Sequence, residues 1–120
     1  MISDLRYEAV RDLDASQTYT DLRSSDVDLV SRAILTISWH EEWTSAQETC
    51  LEFARHEEYW IRKNSITGLG HIARIHGAID IGSVLDLFGR LTKAGVPAYE
   101  FADMFGDIMV FVVRQGRRNV

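Results

Sequence analysis

Residues 60–77 read WIRKNSITGLGHIARIHG, with apolar residues at helical spacing from end to end and two glycines, Gly68 and Gly70, in the middle. Each glycine costs a helix interior about 1 kcal/mol relative to alanine. A chain that keeps both in one helix has a reason, and the physical one is another backbone passing close by. On a wheel of about 100° per residue, Ile61, Ser65, Ile66, Leu69, Ile72 and Ala73 share one arc. Gly68 falls at the edge of that arc, which predicts a close helix–helix approach there. Gly70 falls on the opposite side with Lys63 and Arg74; it either lets a partner backbone near that surface or is tolerated drift, and an alanine there is expected to help the helix. Arg62 lies beside the apolar arc and so needs a carboxylate or carbonyl partner. Asp103 and Asp107 are the expected candidates.

The rest of the chain has the same character. Ser3 to about Leu13 carries Leu5, Ala9 and Leu13 at i, i+4, i+8, and the polar stretch DASQTYTDLRSS, residues 14–25, reads as loop. Ser25 or Asp26 can cap a second helix whose stripe is Val27, Val30, Ile34 and Ile37, ending near Ser38. WHEEW turns the chain into a third helix, Trp43 to His56, with Ala46, Cys50, Phe53 and Ala54 inward. HEEY makes the next turn, and Gly77 closes the fourth helix at the position past the last turn that favours glycine. Asp80 caps a fifth helix carrying Ile81, Val84, Leu85, Phe88 and Leu91, which Gly95 ends. The single proline, Pro97, suits the first turn of a sixth helix lined by Phe101, Met104, Phe105, Ile108 and Val112. IMVFVV, residues 108–113, could be a strand by composition, but no period-two partner exists elsewhere, so a buried helix end is expected.

Six helices joined by short turns suggest paired helices stacked in a row. Units of about 40 residues would divide the chain at roughly 1–39, 40–77 and 78–116. With 120 residues, 46% of them hydrophobic, a single domain spanning 1–120 can build its own core.

The chemistry is mostly excluded by pattern. Four histidines are present, His40, His56, His71 and His76, yet neither HEEW nor HEEYW supplies a second histidine one turn on. A single cysteine gives no zinc-finger spacing. Neither a nucleophile-elbow nor a phosphate-loop motif occurs. Cys50 sits on an apolar helix face, where a core thiol is the plainer reading. His76, at a helix end, suits the negative end of the dipole and a bond to a neighbour. No catalytic residue, metal or cofactor is therefore assigned. A net charge of −5 argues against nucleic acid as the direct partner, and Arg114, Arg117 and Arg118 read as a solvated tail. No apolar run approaches the roughly 20 residues of a membrane span. With no leader-like start and one unpaired cysteine, the expected compartment is the cytoplasm.

What remains is surface. Glu100, Asp103 and Asp107 stand at i, i+3, i+7, and Glu57, Glu58 and Trp60 occupy the turn before the fourth helix. Acids with an interleaved aromatic make interface material for a basic protein. Trp43 fits the inner stripe of its helix, leaving Trp60 as the exposed anchor.

At EYWIRKNSITGLGHI the chain resembles the second helix of a HEAT repeat: Ile61-Arg62 as the paired start, Ser65 and Gly68 as the small positions, Leu69-Gly70 as the ending. The usual turn proline is replaced by Glu57-Glu58-Tyr59. GLGHIARIHGAID and the later EFADMFGDI extend the likeness to small bacterial HEAT-like proteins of contact-dependent growth inhibition and related polymorphic toxin systems. That resemblance, which covers residues 56–108, implies an all-α, right-handed stack of about three HEAT-like hairpins. It also implies an immunity protein that occludes a cognate toxin domain, basic and of nuclease type, without catalysis of its own. A HEAT-like scaffold in a cytosolic complex is the alternative, and a phycobilin-lyase-like HEAT protein a lower one.

Overall fold

A computed structural model describes residues 15–115. The segment from Ser3 to Leu13 and the tail residues Arg117 and Arg118 lie outside the described residues. Within them the fold is all-helical, with no strand. The elements are α1 (Ala15–Asp21), α2 (Val27–His40), α3 (Trp43–Phe53), α4 (Tyr59–His76) and α5 (Ile81–Lys93). A 3-10 turn (Ala98–Phe101), α6 (Ala102–Ile108) and a π-turn (Met109–Val113) follow. Among the described residues no helix is long and apolar enough to cross a membrane.

Helix ends follow local chemistry. Asp26 caps α2 by accepting from the backbone N–H of Asp28 at 2.9 Å, and Asp80 caps α5 through Ser83 N–H at 3.2 Å. Glu42 and Glu58 cap α3 and α4 in the same way. Gly77 closes α4 at φ 64°, and Gly95 follows α5 at φ 105°, both in the left-handed region that disfavours a side chain. Helix α3 stops three residues before His56, because Arg55 and His56 bond back to Glu52 and Phe53 in a tight turn.

Several expectations are corrected. The stretch read as loop contains α1, a polar helix held by Gln17 Nε2 donating to Asp21 Oδ1 at 2.8 Å and packed against α2, with Thr18 buried. The sixth helix is not one rod: a 3-10 turn precedes α6 and a π-turn continues it. IMVFVV is helical as expected but not a buried end, since none of Met109–Val113 is buried and Met109 is half exposed. On α5 the inward residues are Val84 and Leu87, flanked by Phe88 and Leu91, while Leu85 points outward.

Helix α4 runs through the middle, with α2 and α3 packed on one side and α6 on the other. The two glycines serve those two sides. A Cβ on Gly68 would lie 2.5 Å from Ser38 Oγ on α2 and 2.8 Å from Cys50 Sγ on α3. A Cβ on Gly70 would lie 2.8 Å from Asp107 Oδ2 and 3.3 Å from the Met104 Cα, both on α6. Residues two apart on a helix point about 200° from each other, so α4 needs one bare position for each neighbour. Gly70 is thus buried, not on an open face as the wheel suggested. Its polar side is closed by a backbone and a carboxylate rather than by apolar side chains.

Phe101, fully buried, anchors the C-terminal half. Phe88 meets Phe101 and Phe105 edge-on at 5.0 and 5.2 Å, tying α5 to the 3-10 turn and α6. Trp43 is half-buried against the core, and Trp60, at 55% exposure, stands out in solvent, both as expected.

Candidate partner-binding cleft

Where α4 and α6 diverge they leave a cleft of about 830 Å³. Lys63, Thr67, His71 and Arg74, spaced about one turn apart, line its α4 wall. Asp103, Gly106 and Asp107 line the α6 wall and Val110 the π-turn beyond it, Ile66 and Met104 contribute apolar surface, and Tyr59 and Tyr99 stand at the same end.

Two ion pairs set its width. Arg62 on α4 donates through Nε and Nη2 to Oε1 and Oε2 of Glu100 at 3.2 and 3.3 Å, a forked pair whose side chains are 16% and 4% exposed. Arg74 donates to Asp107 Oδ1 at 3.1 Å. The partner of Arg62 is therefore Glu100, not Asp103 or Asp107. The 3-10 turn winds tighter than the α-helix expected from Pro97 onward, and it carries Glu100 inward.

The six residues expected to bind a partner divide accordingly. Glu100 is spent on Arg62, Asp107 on Arg74, and Glu58 caps α4 by accepting from Ile61 N–H at 2.8 Å. Glu57, Trp60 and Asp103 are exposed, and neither Glu57 nor Asp103 holds a hydrogen bond or ion pair among the described residues. Asp103 lies in the cleft; Trp60 adjoins it by packing edge-on against Tyr59 at 5.0 Å. Lys63 Nζ sits 5.7 Å from the Tyr59 ring and 5.6 Å from the Trp60 ring. Such placements hold a cation by the ring quadrupole.

Sequence reasoning missed Tyr99, which at 75% is the most exposed large hydrophobic residue described. Its position beside the buried Glu100 is set by the 3-10 turn, so only the turn type could have revealed it. Two further residues are placed differently from expectation or more fully than it. His76 keeps its helix-end position, but its Nε2 is buried with no hydrogen-bond partner. Cys50 is buried in the core, and burial pushes its thiol up to about 12, against a smaller lowering by the Ser38 hydroxyl 3.3 Å away. It is a protonated core thiol at neutral pH.

His71 belongs to both the core and the cleft. The Trp39 indole N–H, from α2, donates to its Nδ1 at 3.2 Å, with the rings edge-on at 5.9 Å. Burial chiefly, and the Arg74 cation next, hold the imidazole below its ordinary value, with Asp107 opposing them.

Compared with known proteins, the chain matches no described family, no curated relative and no solved structure.

Proposed function

We propose that the chain is an immunity protein: a non-catalytic, cytoplasmic binding protein that occludes the active surface of a cognate toxin domain. The observation that carries this reading is the cluster of exposed Tyr59, Trp60 and Tyr99 at one end of the cleft. Large aromatic rings held in water are costly unless something covers them, and tyrosine and tryptophan dominate the energetics of protein interfaces. Two exposed carboxylates have no internal partners among the described residues, Asp103 in the cleft and Glu57 in the turn before α4, and the net charge of −5 attracts a basic domain from a distance. In the finer fold proposal α2, α4 and α6 would be the second helices of three HEAT-like hairpins; the packing of α4 between α2 and α6 supports it. Such helices line one side of a stack, and that side carries the cleft.

Relative to the sequence expectation, recognition shifts from an acidic strip to an aromatic anchor with an acidic fringe, because Glu100 and Asp107 are already paired. The test uses the domain encoded at the end of the gene immediately upstream, purified and titrated against this protein. Trp60→Ala and Tyr99→Ala are each expected to weaken the complex by about 30-fold, the weight of a hot-spot residue of about 2 kcal/mol. Leu85→Ala, on α5 and outside the cleft lining, should leave it unchanged. Wild-type affinity in both aromatic variants, with melting unaltered, would place the interface elsewhere.

Exposed Ile81 and Leu85 on α5 favour a second reading, a HEAT-like scaffold that docks a neighbour in a larger cytosolic complex. Recovery of one endogenous assembly by the wild type, but not by Leu85→Asp, would support it.

A further inference from the structure

The contact between Trp39 and His71 fixes more than packing. An indole N–H can only donate, so the Nδ1 that receives it carries a lone pair. Neutral His71 must then hold its proton on Nε2, and His71 is a wall residue of the cleft. The α2–α4 contact and the cleft therefore share one imidazole.

We infer that His71 is a proton-operated latch: when a proton binds Nδ1, the bond to Trp39 is lost and the cleft wall gains a positive charge. The proton takes the lone pair that accepted the indole, leaving two donors facing each other. The groups around the imidazole bear on the result. Arg74 lies one turn along on α4, and Asp107 reaches over Gly70 from α6. Lys63 and Asp103 line the same cleft. From α2 the contact is the uncharged Trp39, while Arg32 and His40 on that helix are exposed. In the protonated form Asp107 faces two cations, Arg74 and His71, so the ion pair that bridges α4 and α6 is shared as the α2 contact loosens.

The direction with pH follows from the depressed value. The folded state takes up this proton less readily than the unfolded chain. The stability that neutral His71 contributes is complete above its ordinary 6.5 and is lost as pH falls through the lower folded value. The latch is a property of this chain alone, so it can be tested without any partner and does not depend on the proposed function.

The test is a titration of the isotopically labelled protein by NMR, from about pH 8 to about pH 5. The Trp39 indole resonance is assigned by its absence in Trp39→Phe, and the His71 ring by its absence in His71→Gln. At neutral pH the ring nitrogens should show a bare Nδ1 and a protonated Nε2. The Trp39 indole proton should shift with the same midpoint as the His71 ring, below 6.5. In His71→Gln that shift should vanish, because a glutamine carbonyl can accept from the indole and does not titrate. Trp39→Phe should raise the His71 midpoint by removing a bond that favours the neutral ring. A proton on Nδ1 at neutral pH would overturn the inference. So would an indole resonance that stays fixed while His71 titrates, or one that moves equally in His71→Gln.

Discussion

Gly68→Leu is expected to be the most damaging single substitution on α4, lowering stability by about 3 kcal/mol or more. Overpacking a tight interior typically costs about 1–3 kcal/mol, and this site is tighter than most. Even the first added carbon would meet Ser38 Oγ at 2.5 Å and Cys50 Sγ at 2.8 Å. Neither can easily step aside: both residues are fully buried, and the serine hydroxyl already donates to Ile34 C=O at 2.9 Å. Turning it away would leave a buried polar group unsatisfied, itself worth about 1–3 kcal/mol. Gly70→Ala should also destabilise, but only by about 1 kcal/mol. Its carbon would displace the Asp107 carboxylate and press on the Met104 backbone at 3.3 Å, offset by the roughly 1 kcal/mol that alanine returns to a helix. Urea midpoints of the two variants decide the ranking. A Gly70→Ala protein more stable than wild type would mean that α6 does not approach α4 as closely as described.

The contrast between these glycines shows what the sequence could and could not disclose. A helical wheel identifies a buried face by its apolar side chains, so Gly68, at the rim of the Ile61–Ala73 arc, was legible. Gly70 was not, because the side it faces is closed by the Met104 backbone and the Asp107–Arg74 ion pair, which on a wheel look like solvent. Caps and closing glycines were legible at Asp26, Asp80 and Gly77, where the deciding interactions span a few residues. Helix α1 was missed for the opposite reason. Its sequence ASQTYTD has no apolar stripe, and its evidence is a Gln17–Asp21 bond and packing on α2. The cleft depends on α4 and α6, which are distant in sequence, and on a 3-10 turn whose tighter winding decides which acid turns inward. Exposed Trp60 could be anticipated from the chain; exposed Tyr99 could not.

Glu100→Ala is expected to cost about 3 kcal/mol, more than any exposed acid on the same face. Removing one member of a buried ion pair typically costs about 3–5 kcal/mol because the other charge is left stranded. Arg62 keeps 16% of its side chain in water and stacks 5.4 Å from the Tyr59 ring, which places the loss at the lower end. The effect must be separated from simple loss of packing, and a double-mutant cycle does so. Arg62→Met alone should also destabilise, since it strands a carboxylate that is only 4% exposed. The pair Arg62→Met with Glu100→Leu should recover most of the loss, because hydrophobic residues of similar volume can replace a buried pair at little cost. Melting of the wild type, Arg62→Met, Glu100→Leu and the double variant measures the coupling, and additive losses would show that the two side chains do not interact. The same pair joins the first turn of α4 to the 3-10 turn, and so fixes Tyr59 and Trp60 relative to Tyr99. The double variant, though stable, should therefore bind the upstream-encoded domain more weakly than wild type, whereas Asp103→Asn should change association rate and salt dependence with little effect on melting. A stable double variant with full affinity would mean that the fork serves folding alone.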